Sequence, residues 1–314
     1  MESGGNDMKK IAAFALVCAL LLCACACAEL NVVCSIFPQY DFTRIIAGEH
    51  ASVTKLLPPG MDSHEYEPSV RDILALDRAD LFIYTDEELE MWVKNFSDSL
   101  IHVQSVRCAE GIDLIALNEQ WEEIEHHDGE EEEEHVHEHA YDAHIWLDPT
   151  LAIVMAENIR DALISADGEH AAEYTENCEA LVAELTALDE DFTALFASCP
   201  GAKLYFGGKF AYSHFLRHYG LDYLSAYDSC SDEGEPGARV IMNMVRELNR
   251  ENAKVVFTDE MSSGEVARAI AEETGCEVLL FHSCHNVSAG DEGESYLSLM
   301  RKNYENVKTA LMGE

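Results

Sequence analysis

Basic residues are scarce in this chain of 314 residues. It has 20 lysines and arginines against 60 aspartates and glutamates, which gives a formal net charge of −40 at pH 7. Such a chain repels phosphate groups, so the composition argues against binding to nucleic acid or to anionic lipid surfaces. The function class that this charge favours is the capture of cations.

Catalytic sequence motifs are also missing. The chain contains no H-E-x-x-H, G-x-S-x-G or G-x-G-x-x-G, the patterns typical of zinc peptidases, serine hydrolases and dinucleotide-binding folds. A zinc hydrolase built on an open three-histidine site is the least favoured hypothesis, because Glu65 is the only candidate general base beside a candidate ligand.

The apolar run near the N-terminus is too short to serve as a stable membrane anchor. Residues Ile11–Leu22 follow Lys9-Lys10, a pattern typical of a signal peptide that occupies residues 1–28. The sequence Leu-Cys-Ala-Cys at 22–25 resembles a bacterial lipobox, which predicts lipid attachment at Cys25. Plain cleavage after Ala28 is the alternative. Both alternatives predict an exported mature protein, and the first predicts one that lipid tethers to the membrane.

Seven cysteines follow the predicted signal peptide. The number is odd, so at least one is unpaired within the fold, and a chain of this length needs no disulfide framework. Cys230 and Cys284 both follow predicted strands, and we expect them to be either metal ligands or a disulfide pair.

The order of predicted elements indicates an α/β fold with two similar lobes, each with a mostly parallel sheet flanked by helices. Strands and helices alternate through residues 29–166 and again through residues 200–314. Residues 167–199 are predicted to form one long helix that links the lobes. Its apolar residues recur every three or four positions, namely Tyr174, Cys178, Leu181, Leu185, Leu188, Phe192 and Leu195.

An acidic, histidine-rich segment interrupts the first lobe at residues 119–139. It holds eleven acidic residues and five histidines: His126, His127, His135, His137 and His139. Few of its residues are apolar, so a solvated loop is expected. Imidazole beside carboxylate suits zinc, and we interpret the loop as an accessory metal collector. Inert solvation is the alternative.

Other histidines lie where predicted strands end. His64 follows the second strand, His144 follows the acidic loop, and His282 and His285 follow the last strand. Other strand ends in the second half carry Cys230, Asp259 and Glu260. Ligands bind at the carboxyl ends of strands in open parallel sheets, so these residues predict a metal site between the lobes.

Three segments resemble a known family. Residues 58–73 (PPGMDSHEYEPSVRDI) resemble the PPG-x-x-x-H-x-Y-E-P segment of the zinc and manganese substrate-binding lipoproteins of ABC transporters, the cluster A-I or TroA-like family. Residues 142–149 (DAHIWLDP) and 268–281 (RAIAEETGCEVLLF) match two further segments of that family. The resemblance extends from about Val32 to Met312. It implies a monomeric protein that captures zinc in the cleft and delivers it to an ABC permease; manganese binding and adhesion are alternatives.

The resemblance also implies a set of ligands. His64 and His144 match the two histidines of the N-terminal lobe. Lys209 occupies the position of a C-terminal ligand, but an ammonium group has no lone pair for a metal. We expect Lys209 to pair with Glu260 or Asp228 and His282 to supply the missing ligand. Further candidates are His214, Glu65, Glu260, Cys284 and His285.

Three imidazoles favour zinc over manganese, which prefers more oxygen ligands. Two ligands from one lobe and one from the other would couple binding to closure of the cleft, and closure would report loading to the permease.

Overall fold

The computed structural model describes residues 29–96, 102–116, 141–228, 234–288 and 293–313. Two parallel four-stranded sheets, each flanked by helices, form two lobes joined by a long helix, as the sequence predicts. The lobe boundaries at residues 166 and 200 stay a prediction. None of the helices within the described ranges has both the length and the apolar character needed to cross a membrane.

The N-terminal sheet has the strand order β2-β1-β3-β4. Its strands are β1 (Leu30–Cys34), β2 (Ala51–Lys55), β3 (Leu81–Tyr84) and β4 (Gln104–Arg107). The central strands β1 and β3 are rich in buried apolar residues, as expected for strands covered on both faces. Two short antiparallel strands, β5 (Ile115–Ala116) and β6 (Tyr141–Asp142), pair with each other and flank the acidic segment in the sequence.

The C-terminal sheet has the order β10-β9-β7-β8. Its strands are β7 (Lys203–Phe206), β8 (Asp222–Ser225), β9 (Val255–Thr258) and β10 (Glu277–Leu280). All neighbouring strands pair in parallel, so their carboxyl ends lie at one edge. The loops after β9 and β10 leave this edge and carry Glu260 and residues 281–288 respectively.

The helices alternate with these strands. Those of the N-terminal lobe span Phe37–Ala47, Val70–Leu76, Trp92–Phe96 and Pro149–Ala166; those of the C-terminal lobe span Ser213–Tyr219, Ala238–Glu251, Glu265–Thr274 and Tyr296–Met312. Single 3-10 turns at Ile145–Leu147 and Gly168–His170 precede the longer helices. The short apolar stretch Ile101-His102-Val103 has residue types typical of a strand, but β4 begins at Gln104 and His102 and Val103 precede it.

The linking helix spans Ala171–Ser198, 28 residues, and confirms the predicted apolar stripe. All seven stripe residues are buried, and Phe196 joins them. Aromatic rings of the C-terminal lobe pack on its last turns, where Phe192 contacts Phe215 and Tyr304. One apolar core therefore runs through the linking helix and into both lobes, while a smaller one fills the outer side of the C-terminal sheet.

The helix Val70–Leu76 begins with a capping box. The hydroxyl of Ser69 accepts the backbone N–H of Asp72, and the Asp72 carboxylate accepts the backbone N–H of Ser69. Both bonds satisfy backbone donors that a helix start leaves unpaired.

Removing this cap should cost a measurable part of the stability. Ser69→Ala should lower the free energy of unfolding by about 1 kcal/mol, the usual value of an N-cap side chain. Urea unfolding followed by circular dichroism measures the change. Ser69→Asp, which keeps an accepting oxygen, should stay close to the parent protein, and equal losses in both variants would contradict the capping role.

Candidate metal centre

Three histidine rings meet between the lobes. The Nε2 atoms of His64 and His144 lie 3.3 Å apart. The ring of His285 lies 5.6 Å from that of His64 and 4.7 Å from that of His144, centroid to centroid. Within the described residues, this is the only group of three or more potential ligands whose donor atoms all lie within 4.8 Å of one another.

The spacing of the donor atoms fits a small tetrahedral ion. Bonds of about 2.0–2.1 Å to a tetrahedral zinc ion place neighbouring nitrogens about 3.3–3.4 Å apart. The separation of 3.3 Å between His64 and His144 Nε2 falls at this value. The buried Nε2 of His285 has no hydrogen-bond partner among the described residues, so its lone pair is available for coordination.

Each of the three rings is placed by a short local turn. The backbone N–H of His64 bonds to the carboxylate of Asp62 at 3.0 Å, and that of His144 bonds to Asp142 at 2.9 Å. The N–H of His285 points to the Ser283 hydroxyl at a longer 3.5 Å. Asp and Ser side chains favour such turns because their oxygens reach the N–H two residues later.

Asp142 also sets the orientation of the His144 ring. Its Oδ1 lies 2.5 Å from Nδ1 of His144, so Nδ1 carries the hydrogen and Nε2 faces the other two histidines. Burial acts to raise the pKa of Asp142, but His144, His214 and Ser213 outweigh it and hold the pKa below its ordinary value. The carboxylate is therefore ionised, as in the carboxylate–histidine–zinc arrangement common in metal sites.

His285 is buried and neutral. Burial and, next, the neighbouring His144 and His64 lower the pKa of His285 well below its ordinary value. Protonation would place a charge in a site with little access to water. The ring therefore keeps the neutral form that binds metal ions.

The segment that carries His285 leaves the C-terminal sheet and attaches to the N-terminal lobe. The backbone carbonyl of His285 accepts the N–H of Phe37 at 3.2 Å, and the indole of Trp146 donates to the carbonyl of Ser283 at 2.8 Å. The side-chain amide of Asn286 donates to the carbonyls of Pro58 and Met61. These bonds hold His285 against the loop of His64, although the two residues are more than 200 positions apart in the chain.

Lys209 forms an ion pair across the cleft. Its Nζ lies 3.2 Å from Asp62 Oδ2, a partner other than the expected Glu260 or Asp228. The backbone N–H of Lys209 donates to Asp259 at 2.7 Å. This approach requires Gly208, since a Cβ there would lie 2.3 Å from the Asp259 carboxylate. Lys209, Asp62 and His285 line one small cavity.

His282 lies outside the three-histidine group. Its Nδ1 accepts the backbone N–H of Cys284 at 2.9 Å, and its own backbone is held by Asn303. The same Nδ1 lies 3.5 Å from Oε1 of Glu260. The structure thus uses His282 within the turn and brings His285 to the cleft.

The remaining candidates lie around the group or outside the described residues. His214 reaches from the C-terminal lobe and lies 2.9 Å from the carbonyl oxygen of Asp142 through its Nε2. Glu65 is exposed, and Glu260 is buried beside Ser283. The Cys284 thiol contacts the carbonyl of His282 at 3.7 Å.

Three further predictions concern residues that the structure does not describe: the lipobox with Cys25, the loop 119–139 with its five histidines, and Cys230. They stay predictions.

Comparison with protein families identifies the chain. Residues 32–310 match the model of the family described as zinc-uptake complex component A, periplasmic. The chain belongs to this family. Among curated members of the zinc-uptake component A family, the zinc-binding lipoprotein AdcA of Streptococcus pneumoniae is 30% identical over 311 residues, covering 96% of this chain and 61% of AdcA. The high-affinity zinc uptake system protein ZnuA of Bacillus subtilis is 30% identical over 288 residues, covering 90% of this chain and 88% of that protein.

Solved structures of family members share the fold. The Zn(II)-bound ZnuA-like domain of S. pneumoniae AdcA superimposes with a TM-score of 0.75 at 24% identity, covering 90% of this chain and 99% of that one. The laminin-binding protein Lmb of Streptococcus agalactiae superimposes with a TM-score of 0.76 at 26% identity, with the same coverage. The chain spans about three fifths of the length of the AdcA lipoproteins that it matches.

A local sequence signal distinguishes the three clustered histidines. Of the fourteen histidines in the chain, only His64, His144 and His285 have Asp or Ser two positions earlier. Asp62 and Asp142 lie within segments that resemble the family, and Ser283 lies two residues after the third such segment. The D-x-H and S-x-H spacing, read as a turn that fixes the ring, would have ranked His285 above His282.

Proposed function

We propose that this protein is the exported binding component of a zinc-uptake ABC transporter, with His64, His144 and His285 as the ligands of its principal site. The observation that carries the proposal is the convergence of three imidazoles whose donor atoms lie within 4.8 Å of one another. The family match and the zinc-binding relatives support the same function.

The ligand set favours zinc over manganese. Three nitrogen donors with a fourth position for water or carboxylate suit a tetrahedral zinc ion, whereas Mn²⁺ prefers more oxygen atoms. Asp142 makes its bond to His144 Nδ1 and Asp62 bonds to Lys209 and to the His64 backbone. Asp142 and Asp62 therefore act behind the imidazoles, and manganese is the less suited cargo.

Binding and release would serve delivery to a membrane permease. The proposed ligands come from both lobes: His64 and His144 from the N-terminal lobe and His285 from the loop after the last strand of the C-terminal lobe. The energy of coordination therefore depends on the relative position of the two lobes. We propose that the loaded form is recognised by an ABC permease, that the mature chain is exported, and that lipid on Cys25 tethers it to the membrane. The function proposed is capture and delivery, without catalysis.

Adhesion is a second candidate for one reason. The S. agalactiae relative Lmb is described as a bifunctional protein with adhesin and metal transporting activity. Binding of immobilised laminin to the purified protein, with and without zinc, tests this role separately from metal uptake.

Zinc titration tests the principal proposal. The purified protein should bind one zinc ion tightly, and additional ions should bind weakly through the histidines of residues 119–139. Competition against a chromogenic chelator of known affinity measures the tight site, and isothermal calorimetry counts the weak ones. A protein without a tight site, or one that prefers manganese in the same assay, would contradict the proposal.

Deletion of residues 119–139 separates the two kinds of site. We expect the variant to lose the weak sites and to keep the tight one, because the three clustered histidines all lie outside the deleted segment. The matched control replaces the segment with a Gly/Ser linker of equal length. If either variant lost the tight site, the loop itself would be the principal site.

A further inference from the structure

A buried carboxylate lies behind the third histidine of the site. Glu260 follows β9 of the C-terminal sheet, and its side chain is 5% exposed. Its Oε2 accepts the backbone N–H of Ser283 at 2.8 Å, and its Oε1 lies 2.5 Å from the Ser283 hydroxyl. The same hydroxyl lies 2.7 Å from Nδ1 of His285. A continuous chain of hydrogen bonds thus joins Glu260 to His285.

The direction of these bonds follows from the chemistry of the groups. Burial raises the pKa of Glu260, while His282 and the bonds from Ser283 lower it. In its ionised form this carboxylate has no hydrogen to donate, so the Ser283 hydroxyl donates its hydrogen to Glu260. The hydroxyl oxygen can then only accept from His285, which requires the hydrogen of that neutral ring to lie on Nδ1. Nε2 of His285 is left with its lone pair, and this is the atom that faces His64 and His144.

We infer that Glu260, acting through Ser283, is a positioning residue that fixes His285 in the tautomer able to bind the metal. The inference rests on the proposed function for the identity of the ligand. Asp142 does the same for His144 by direct contact, and outer partners of this kind orient ligands in many metal sites. For His285 the partner comes from the C-terminal lobe, while the backbone of His285 is held by the N-terminal lobe.

The tautomer of His285 can be measured without any metal. In metal-free protein labelled with ¹⁵N, long-range ¹H–¹⁵N correlation spectra distinguish Nδ1–H from Nε2–H rings. We expect the Nδ1–H form for His285 in the parent protein. Ser283→Ala should give a mixture of the two forms, and Ser283→Thr, which keeps the hydroxyl, should restore the parent spectrum.

Glu260→Gln makes the sharper prediction. The glutamine amide can accept from the Ser283 N–H through its oxygen and donate to the Ser283 hydroxyl through its nitrogen. The hydroxyl would then donate to Nδ1 of His285, and the ring would invert to the Nε2–H form. We expect zinc affinity to fall by about tenfold to a hundredfold in Ser283→Ala and Glu260→Gln, the usual cost of losing such a partner.

A second buried serine–glutamate pair supplies the matched control. Ser35 donates to Glu90 at 2.5 Å, and both side chains are buried. Ser35→Ala removes a bond of the same kind and should lower the thermal midpoint without changing the His285 tautomer or zinc affinity. This variant separates a loss of packing from a loss of positioning.

The outcomes distinguish the inference from the proposed function. A His285 ring that is already Nε2–H in the parent protein, or one that keeps Nδ1–H in both Ser283→Ala and Glu260→Gln, would overturn the inference. A fall in zinc affinity with an unchanged tautomer would also overturn it, because the effect would then be structural. Absence of tight zinc binding in the parent protein would instead overturn the proposed function, while the tautomer spectra would still test the inference.

Discussion

Replacing His285 by alanine should remove tight zinc binding. Only three imidazoles converge in the described part of the cleft, and a tetrahedral zinc ion left with two protein ligands loses a large part of its coordination energy. We expect the affinity to fall by about a thousandfold or more, which corresponds to about 4 kcal/mol. Competition with a chelator of known zinc affinity measures the change.

Alanine substitutions at other histidines supply the controls. His50 lies on the surface, where it pairs with Glu173, and His50→Ala should leave zinc affinity unchanged. His282→Ala and His214→Ala should have smaller effects than His285→Ala. The ring of His282 bonds to the N–H of Cys284 within its own turn, and the ring of His214 bonds to the carbonyl of Asp142. A protein that loses tight binding in His282→Ala and keeps it in His285→Ala would return the ligand role to His282.

Replacing Lys209 by histidine should have the opposite effect and tighten zinc binding. Lys209 lines the same small cavity as His285, and the family resemblance places it at a ligand position. The substitution removes a positive charge that repels the dication and supplies a fourth imidazole. We expect the affinity to rise by about a hundredfold, a gain of about 3 kcal/mol.

Two variants separate these contributions. Lys209→Leu removes the charge without adding a ligand, and its gain should be smaller than that of Lys209→His. Asp62→Asn breaks the ion pair across the cleft but leaves the ammonium in place, so it should not tighten binding. Unchanged or weaker binding in Lys209→His would show that this position does not reach the metal. X-ray absorption at the zinc edge then counts the nitrogen ligands directly.

The fold was predictable because its signals are local. The stripe from Tyr174 to Leu195 repeats at the helical period, and the structure buries every member of it. Ser69 and Asp72 start a helix through bonds that span three residues. Strands and helices alternate in both lobes, as the sequence predicts, whereas the short apolar stretch at His102–Val103 is too short for any periodicity to be measured and precedes β4.

The candidate site was predictable in part. His64 and His144 stood out because each lies in a long motif and follows a predicted strand or loop, and the structure brings them together. The choice between His282 and His285 was not decided by their motifs, since the two are three residues apart after the same strand. Within the turn of residues 281–288, Asn303 holds the backbone of His282 and the ring of His282 bonds to the N–H of Cys284, whereas the ring of His285 joins those of His64 and His144.

Composition and local pattern give the class of this protein: an acidic, two-lobed α/β chain with a linking helix, histidines at strand ends and a predicted signal peptide. These features depend on composition and on neighbours close in the chain. The folded chain brings His285 to His64 and His144, places Glu260 behind His285 and pairs Lys209 with Asp62. Each of these contacts joins residues that are distant in sequence or depends on the direction of a side chain in a turn, and both are fixed by packing between the lobes.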